Sequence, residues 1–213
     1  FLKGFGETLL KKFITRAIIL DETQKPILHQ EIQFPKVKKE LFFDIEDDPT
    51  QDFVYLHGIY CRDMQGEEYI YFLAEENTRD SEKKAWQEFW NYINALPVGE
   101  FSIYYYSHHE KTTYRRLSKR NPDVVTKEEV DIFFDNPNAI DLYQIVQKYT
   151  DWPLSSYSLK EIATYLGFKW RDESPSGALS ISWYNDFLQH HSKEVLKRIL
   201  EYNEDDCRAT MIL

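Results

Sequence analysis

Phe42-Phe43-Asp44-Ile45-Glu46-Asp47 is the stretch on which the reading of this chain turns. From Leu41 to Ile45 the residues read as a buried strand with one acid in its middle. Side chains alternate faces along a strand, so Asp44 and Glu46 project together while Phe43 and Ile45 pack the other way. Carboxylates on a core strand are costly unless something neutralises them, and a metal ion does that. A second reading stands beside it. The strand runs out into a loop, and Glu46, Asp47 and Asp48 are simply solvated before Pro49.

With 213 residues the chain is long enough for one full-sized α/β domain and a small appendage. A hydrophobic content of 42% with 16% aromatics supports a large core and excludes a disordered chain. There is no apolar run of about 18 residues and no signal peptide, so a soluble protein is expected, with no membrane partner. Cys61 and Cys207 are too few for a disulfide framework or a zinc site, which points to a reducing, cytoplasmic setting. The net charge of −10 disfavours phosphate binding, but clustering of Lys and Arg matters more than the total. The chain starts at Phe1 and stops at Leu213 inside a helical pattern, as an excised piece would.

Residues 1–40 carry eight basic and five acidic residues. Gly4-Phe5-Gly6 leads into a helix through Leu9, Leu10, Phe13, Ile14 and Ala17. A packed helix and strand with solvated lysines is favoured here over a nucleic-acid-facing extension or the tail of an upstream module. Strands follow at Leu41 to Glu46, Phe53 to Cys61 and Glu68 to Ala74, then a helix from Asp80 to Leu96 and a fourth strand from Phe101 to Tyr106. A short basic helix spans Glu110 to Lys119. Thr126 and Glu129 form a capping box, and Asn138 to Asp141 reads as a fifth strand before a helix from Leu142 to Tyr149. Ser158 and Glu161 form a second capping box for a helix that stops at Gly167. Ser182 to His190 is helical, and Ser192 caps a last helix. This order is that of a ribonuclease H-like α/β fold: a mixed five-stranded sheet, order 3-2-1-4-5, with helices on both faces.

Two more stretches carry chemistry. In the last helix Leu196, Ile199, Tyr202, Asp206 and Thr210 form one stripe, so Tyr202 and Asp206 point toward the interior one turn apart. Glu201, Glu204 and Asp205 read as a solvated flank, with Asp205 as the substitute for Asp206 if the helix phase is off by one. Glu110 opens a helix beside the carboxyl end of the fourth strand, where α/β sheets place their sites, although the helix dipole alone would favour an acid there.

Together the DxE of Asp44 and Glu46, the acid Glu110, and the YxxxD of Tyr202 and Asp206 resemble the DEDD superfamily of ribonuclease H-like 3′–5′ exonucleases. More closely, residues 41–213 resemble the domain found beside RecB-type nuclease modules or helicases in bacterial proteins, the YprB-like group. The stretches are Phe43 to Pro49, His109 to Thr112, Ile140 to Leu142, Tyr157 to Ile162, Gly177 to Tyr184 and Tyr202 to Asp206. Residues 1–40 would then be a connector from an upstream RecB-like nuclease or helicase module. One departure is the second acid, Asp in most members and Glu110 here.

The resemblance implies metal-dependent hydrolysis of DNA or RNA from a single-stranded 3′ end, with two Mg2+ or Mn2+ ions about 4 Å apart. Asp44 would bridge the ions, Glu46, Glu110 and Asp206 would complete the cage, and Tyr202 would orient the attacking water, since a Tyr pKa near about 10 argues against simple base action. Lys111, Arg115 and Arg116, with Lys119 and Arg120, follow Glu110 and would hold substrate phosphates, or form a solvated basic face. Tyr104 to Tyr106 read as strand core, His108 and His109 as loop-end polar residues, Asp141 as a helix cap, and Trp183 and Tyr184 as packing residues. The rival expectation is a catalytically silent domain that binds nucleic acid or docks a larger nuclease or helicase.

Overall fold

The alternation seen around Asp44 is the frame of the molecule. The computed structural model describes residues 6–213, so Gly4 and Phe5 of the expected helix lead-in lie outside the described residues. Strand β1 (Lys39–Asp48) is central, flanked by antiparallel β2 (Phe53–Asp63) and parallel β4 (Phe101–Tyr105). β3 (Gly66–Leu73) closes one edge and β5 (Ala139–Asp141) the other. Numbered by sequence the order is 3-2-1-4-5, a mixed sheet as expected.

One face buries Leu41, Phe43 and Ile45 of β1 against α2 (Arg79–Ala95), α3 (His109–Arg120) and α4 (Lys127–Asp135). Trp86, Phe89, Trp90 and Tyr114 interlock edge to face there, the geometry that ring quadrupoles favour. The other face carries α5 (Leu142–Tyr149), α6 (Leu159–Tyr165), α7 (Gly177–His190) and α8 (Lys193–Ile212). There Phe42 stacks on Tyr104 and packs with Cys207, while Tyr55 stacks on Tyr184.

Several sequence expectations need correction. The solvated reading of residues 46–48 fails, because Glu46 and Asp48 are both buried. The ladder continues to Asp48 through a bulge between Glu46 and Asp47, and Asp48 accepts hydrogen bonds from Thr50 and Gln51 to build the turn. Helix α7 starts at Gly177, not Ser182, and its first turns carry small residues because buried Ser180 bonds the Tyr55 hydroxyl at 2.9 Å. Thr126 and Glu129 close a full capping box, whereas the Glu161 carboxylate reaches past Ser158 to the Ser156 N–H at 3.0 Å.

The helix before the sheet, α1 (Glu7–Ile18), is not the packed element expected, since Leu9, Leu10, Ile14 and Ile18 are exposed. Polar contacts hold this segment instead. Arg16 Nε donates to the buried Asp151 carboxylate at 2.7 Å and its guanidinium lies 4.3 Å from the Tyr157 ring centre. His29 Nε2 lies 2.9 Å from the second Asp151 oxygen, and Ile27–Leu28 pairs with Thr150–Asp151 as a two-residue ribbon. Replacing Asp151 leaves Arg16 without its carboxylate and His29 without its hydrogen-bond partner, at a cost of about 3 kcal/mol before solvent screening of the partly exposed pair reduces it. Asp151→Ala is therefore expected to open the Arg16–Ala17 and Lys36–Val37 bonds to brief trypsin treatment while residues 41–213 resist; equal resistance in variant and wild type would contradict this anchoring.

Candidate active site

Three carboxylates meet where α8 crosses β1. Asp44 and Glu46 reach up from the strand and Asp206 down from the helix, and one oxygen of each lies within 4.8 Å of the others. The acids that strand period two and helix spacing four each align thus meet at one point. Glu46 and Asp206 are 5% and 7% exposed, while Asp44 keeps partial solvent access. They border a cleft of about 350 Å³ whose far wall is Gly177, Ala178 and Ile181 of α7.

Each acid is held by a neutral donor or a cation. Asn203 Nδ2 donates to Asp44 Oδ2 at 2.8 Å, and its own Oδ1 accepts from the Tyr69 hydroxyl at 2.8 Å. A Cβ on Gly58 would lie 1.6 Å from that Asn203 oxygen, so β2 needs glycine there for α8 to approach. The Tyr55 hydroxyl lies 3.5 Å from Glu46 Oε2. Trp170 Nε1 donates to Asp206 Oδ1 at 2.7 Å. Lys160 Nζ lies 3.5 Å from Asp206 Oδ2 and donates to the Tyr202 hydroxyl at 2.7 Å.

Electrostatics follow from crowding negative charge away from water. Burial, then Asp206 and Glu46, pushes Asp44 well above the usual carboxylate range. Burial and Asp206 push Glu46 up to about 8. Asp206 is raised by burial, against the opposing pull of Lys160 and Trp170. Burial and the same acids raise the Tyr202 hydroxyl far above its ordinary value, so it stays protonated at neutral pH.

Glu110 opens α3 as expected, but it stands outside the three-acid group. It is 3% exposed, its Oε2 has no hydrogen-bond partner among the described residues, and burial followed by Asp141 and Asp47 raises its pKa. Asp205 is not on a solvated flank. Its buried carboxylate accepts the Arg171 backbone N–H at 2.8 Å and Arg171 Nε at 3.0 Å, which pins the loop that carries Trp170. Asp141 caps α5 through the Gln144 N–H. Tyr104 and Tyr105 are core, Trp183 packs edge-on against Tyr202, and His109 lies 3.1 Å from Asp47.

Four of the five basic residues on this helix are already paired. Lys111 pairs with Asp135, Arg115 with Asp131, Arg116 with Asp47 and Asp52, and Arg120 with Asp52 and Glu82. Only folding brings these acids to α3, so a count of charges along the helix could not show it. Lys160, Trp170 and Asn203 were missed for the same reason: Lys160 is the second residue of a helix, a position that normally faces water.

The donor set suits a hard divalent cation. All three groups are carboxylates, they converge within one ion's reach, and their shifts mark a place that holds too much negative charge for its burial. Glu46 carries part of the pH dependence, beside Asp44, Asp206 and Glu110, which burial raises in the same direction. The Glu46 pKa is higher in the folded state than the ordinary 4.5, so its contribution to stability is full below 4.5 and lost as pH rises toward about 8. A cation binding only the folded form opposes that loss. Melting in millimolar Mn2+ is expected to rise by roughly 5–10 °C at pH 8, and by less at pH 5.5 where protons compete. Asp44→Asn should erase the shift, and equal shifts in variant and wild type would place the ion elsewhere. Gly58→Ala should destabilise the fold by about 2–4 kcal/mol and weaken the Mn2+ shift, because displacing Asn203 moves the helix that holds Asp206.

No curated protein matches the chain. No helix among the described residues is long and apolar enough to cross a membrane. The sheet order, the helices on both faces and the carboxylates facing α8 agree with a match to the RNase_H superfamily over residues 41–213. That span is well over half of the chain, and the chain belongs to the RNase_H superfamily.

Proposed function

We propose that the protein hydrolyses phosphodiester bonds of DNA or RNA with Mg2+ or Mn2+, as a 3′–5′ exonuclease. The observation that carries this reading is the convergence of Asp44, Glu46 and Asp206, with Tyr202 one turn from Asp206 on the same helix. These three acids would hold the cation, with Glu110 the candidate for a further ligand. Bound there, a divalent ion activates a water and neutralises charge on the phosphoryl oxygens.

The chain's own groups do the rest. Asn203, Tyr55 and Trp170 fix Asp44, Glu46 and Asp206 in place, so little reorganisation is left for the reaction. Tyr202 keeps its proton and orients water rather than removing a proton from it. Gly177 and Ala178 leave room for a sugar-phosphate at the cleft wall, and no side chain caps the N–H groups at the start of α7. Such a helix end favours an anion. The resemblance of the DxE, Glu110 and YxxxD motifs to the DEDD exonucleases supports a 3′ end as the substrate, and an upstream RecB-like nuclease or helicase module would deliver it.

A second reading, a silent nucleic-acid-binding or docking domain, draws on Glu110 standing apart and on the paired state of Lys111, Arg115 and Arg116. End-labelled single-stranded DNA and RNA separate the two. In Mn2+ the expected result is shortening from the 3′ end, reduced at least about 1,000-fold in Asp44→Ala and about 10- to 100-fold in Tyr202→Phe. Salt-sensitive binding without turnover, unchanged in Asp44→Ala, would favour the silent domain.

A further inference from the structure

A second cavity lies beside the acids, at the edge of the sheet. It holds about 470 Å³, against about 350 Å³ for the cleft at Asp44, and it opens between the carboxyl ends of β4 and β5 and the helices α4 and α5. That volume falls within the roughly 300–1,000 Å³ of pockets that take small organic groups. Tyr105 and Phe134 line it and meet edge to face with ring centres 5.2 Å apart, and α5 adds Ile145 and Tyr149. Ala139 and Ile140 come from β5, an edge strand whose outer side pairs with no other strand.

Its polar groups select the ligand. Tyr105 is 4% exposed, yet its hydroxyl makes no hydrogen bond among the described residues. Burial, then Asp141 and Glu110, raises that hydroxyl well above its ordinary value, so it keeps its proton and is left as an unused donor. With His108 neutral, Lys111 and Lys148 bring +2 to the lining and Asp135 and Asp141 bring −2, a sum of zero. These charges are also engaged: Lys111 pairs with Asp135, Lys148 lies 4.8 Å from the Tyr149 ring centre, and both Asp141 oxygens accept from Ser107 or Gln144. A phosphate gains little in such a place. A flat, uncharged ring with hydrogen-bond acceptors gains both aromatic contact and the Tyr105 hydrogen bond.

The cavity adjoins the acids. Lys111 of its lining follows Glu110 in the chain, Asp141 of its lining is among the charges that act on Glu110, and Glu110 in turn acts on Asp44. We propose that this cavity is a nucleobase subsite, which takes one unpaired base of the strand on the 5′ side of the scissile phosphate. This rests on the nuclease reading and deepens it. With four of the five cations of α3 paired to acids, the grip on the strand at this edge falls to a base rather than to the backbone. A base held in a duplex stack is not free to enter, so the pocket selects single strands.

The fluorescence of 2-aminopurine, which falls when the base stacks, tests this apart from cleavage. The label is placed at successive positions from the 3′ end of a phosphorothioate single strand that resists hydrolysis, and each strand is titrated with the full chain in Ca2+. Metal-free melting checks that every variant folds. The expected result is quenching concentrated at one position inside the 3′ terminus. Ile145→Trp, which fills the cavity, should abolish it and weaken the strand about tenfold, and Tyr105→Phe, which removes only the hydroxyl, should weaken it about threefold. Equal quenching in the wild type and both folded variants would overturn the proposal. So would adenosine monophosphate binding as tightly as the strand and lost in Ile145→Trp, which would make this a free-nucleotide site. Variant-sensitive quenching without shortening of an unmodified strand in Mn2+ would keep the base pocket and remove the nuclease reading; shortening without variant-sensitive quenching would do the reverse.

Discussion

Helix α8 can lie this close to the sheet only because residue 58 has no side chain. Asn203 Oδ1 fills the space a Cβ would take, and from there the amide bonds Tyr69 on one side and Asp44 on the other. That single close approach sets the height of the helix above β1. Tyr202 and Asp206 are carried to their places by it, one residue before and three after the contact. Were the helix an ångström or two higher, the carboxylates would no longer share one small volume, and the reason for burying them would be gone. Packing and chemistry therefore meet at a position that has no functional group at all.

The distribution of charge follows two separate rules. Around the cleft, acids outnumber cations, and the imbalance is expressed as raised carboxylate pKa values and the ammonium of Lys160. On α3 the opposite holds, with each arginine answered by an acid from the 47–52 turn, α2 or α4. Pairs of this half-exposed kind contribute little to stability, but they tie the turn after β1 to α3 and so brace the strand that carries Asp44 and Glu46. A chain of net charge −10 thus keeps the arginines of this helix for bracing.

What could be read in the residues alone was what depends on short-range periodicity. The two-residue repeat at Asp44 and Glu46 and the four-residue repeat at Tyr202 and Asp206 hold in the structure because each lies inside a regular element whose apolar neighbours set its face. The sheet order was legible from the succession of strands and helices. Three features were not. The bulge after Glu46 buries Asp48 and turns Asp47 toward Arg116 and His109, and no local residue type announces it. Glu110 depends on the Ser107 backbone, which adopts a positive φ of 105° just before α3. Lys160 and Trp170 reach the site from segments about 40 residues upstream of Asp206, a meeting only the packed fold defines.

Asp205 and Asp206 are neighbours in sequence with separate duties, one bonded to Arg171 and the other to Trp170. The segment from Trp170 to Arg171 is therefore clamped by two adjacent turns of the same helix, with Arg171 also reaching the Glu201 carbonyl at 2.8 Å. One oxygen of Asp206 accepts from the indole and the other lies 3.5 Å from Lys160, so the two oxygens of that carboxylate are chemically distinct. The clamp also fixes Asp206, which lines the cleft, in one orientation. A ligand arriving there meets a surface with little conformational entropy left to lose, and the rigidity of a single helix becomes the selectivity of the cleft for shape.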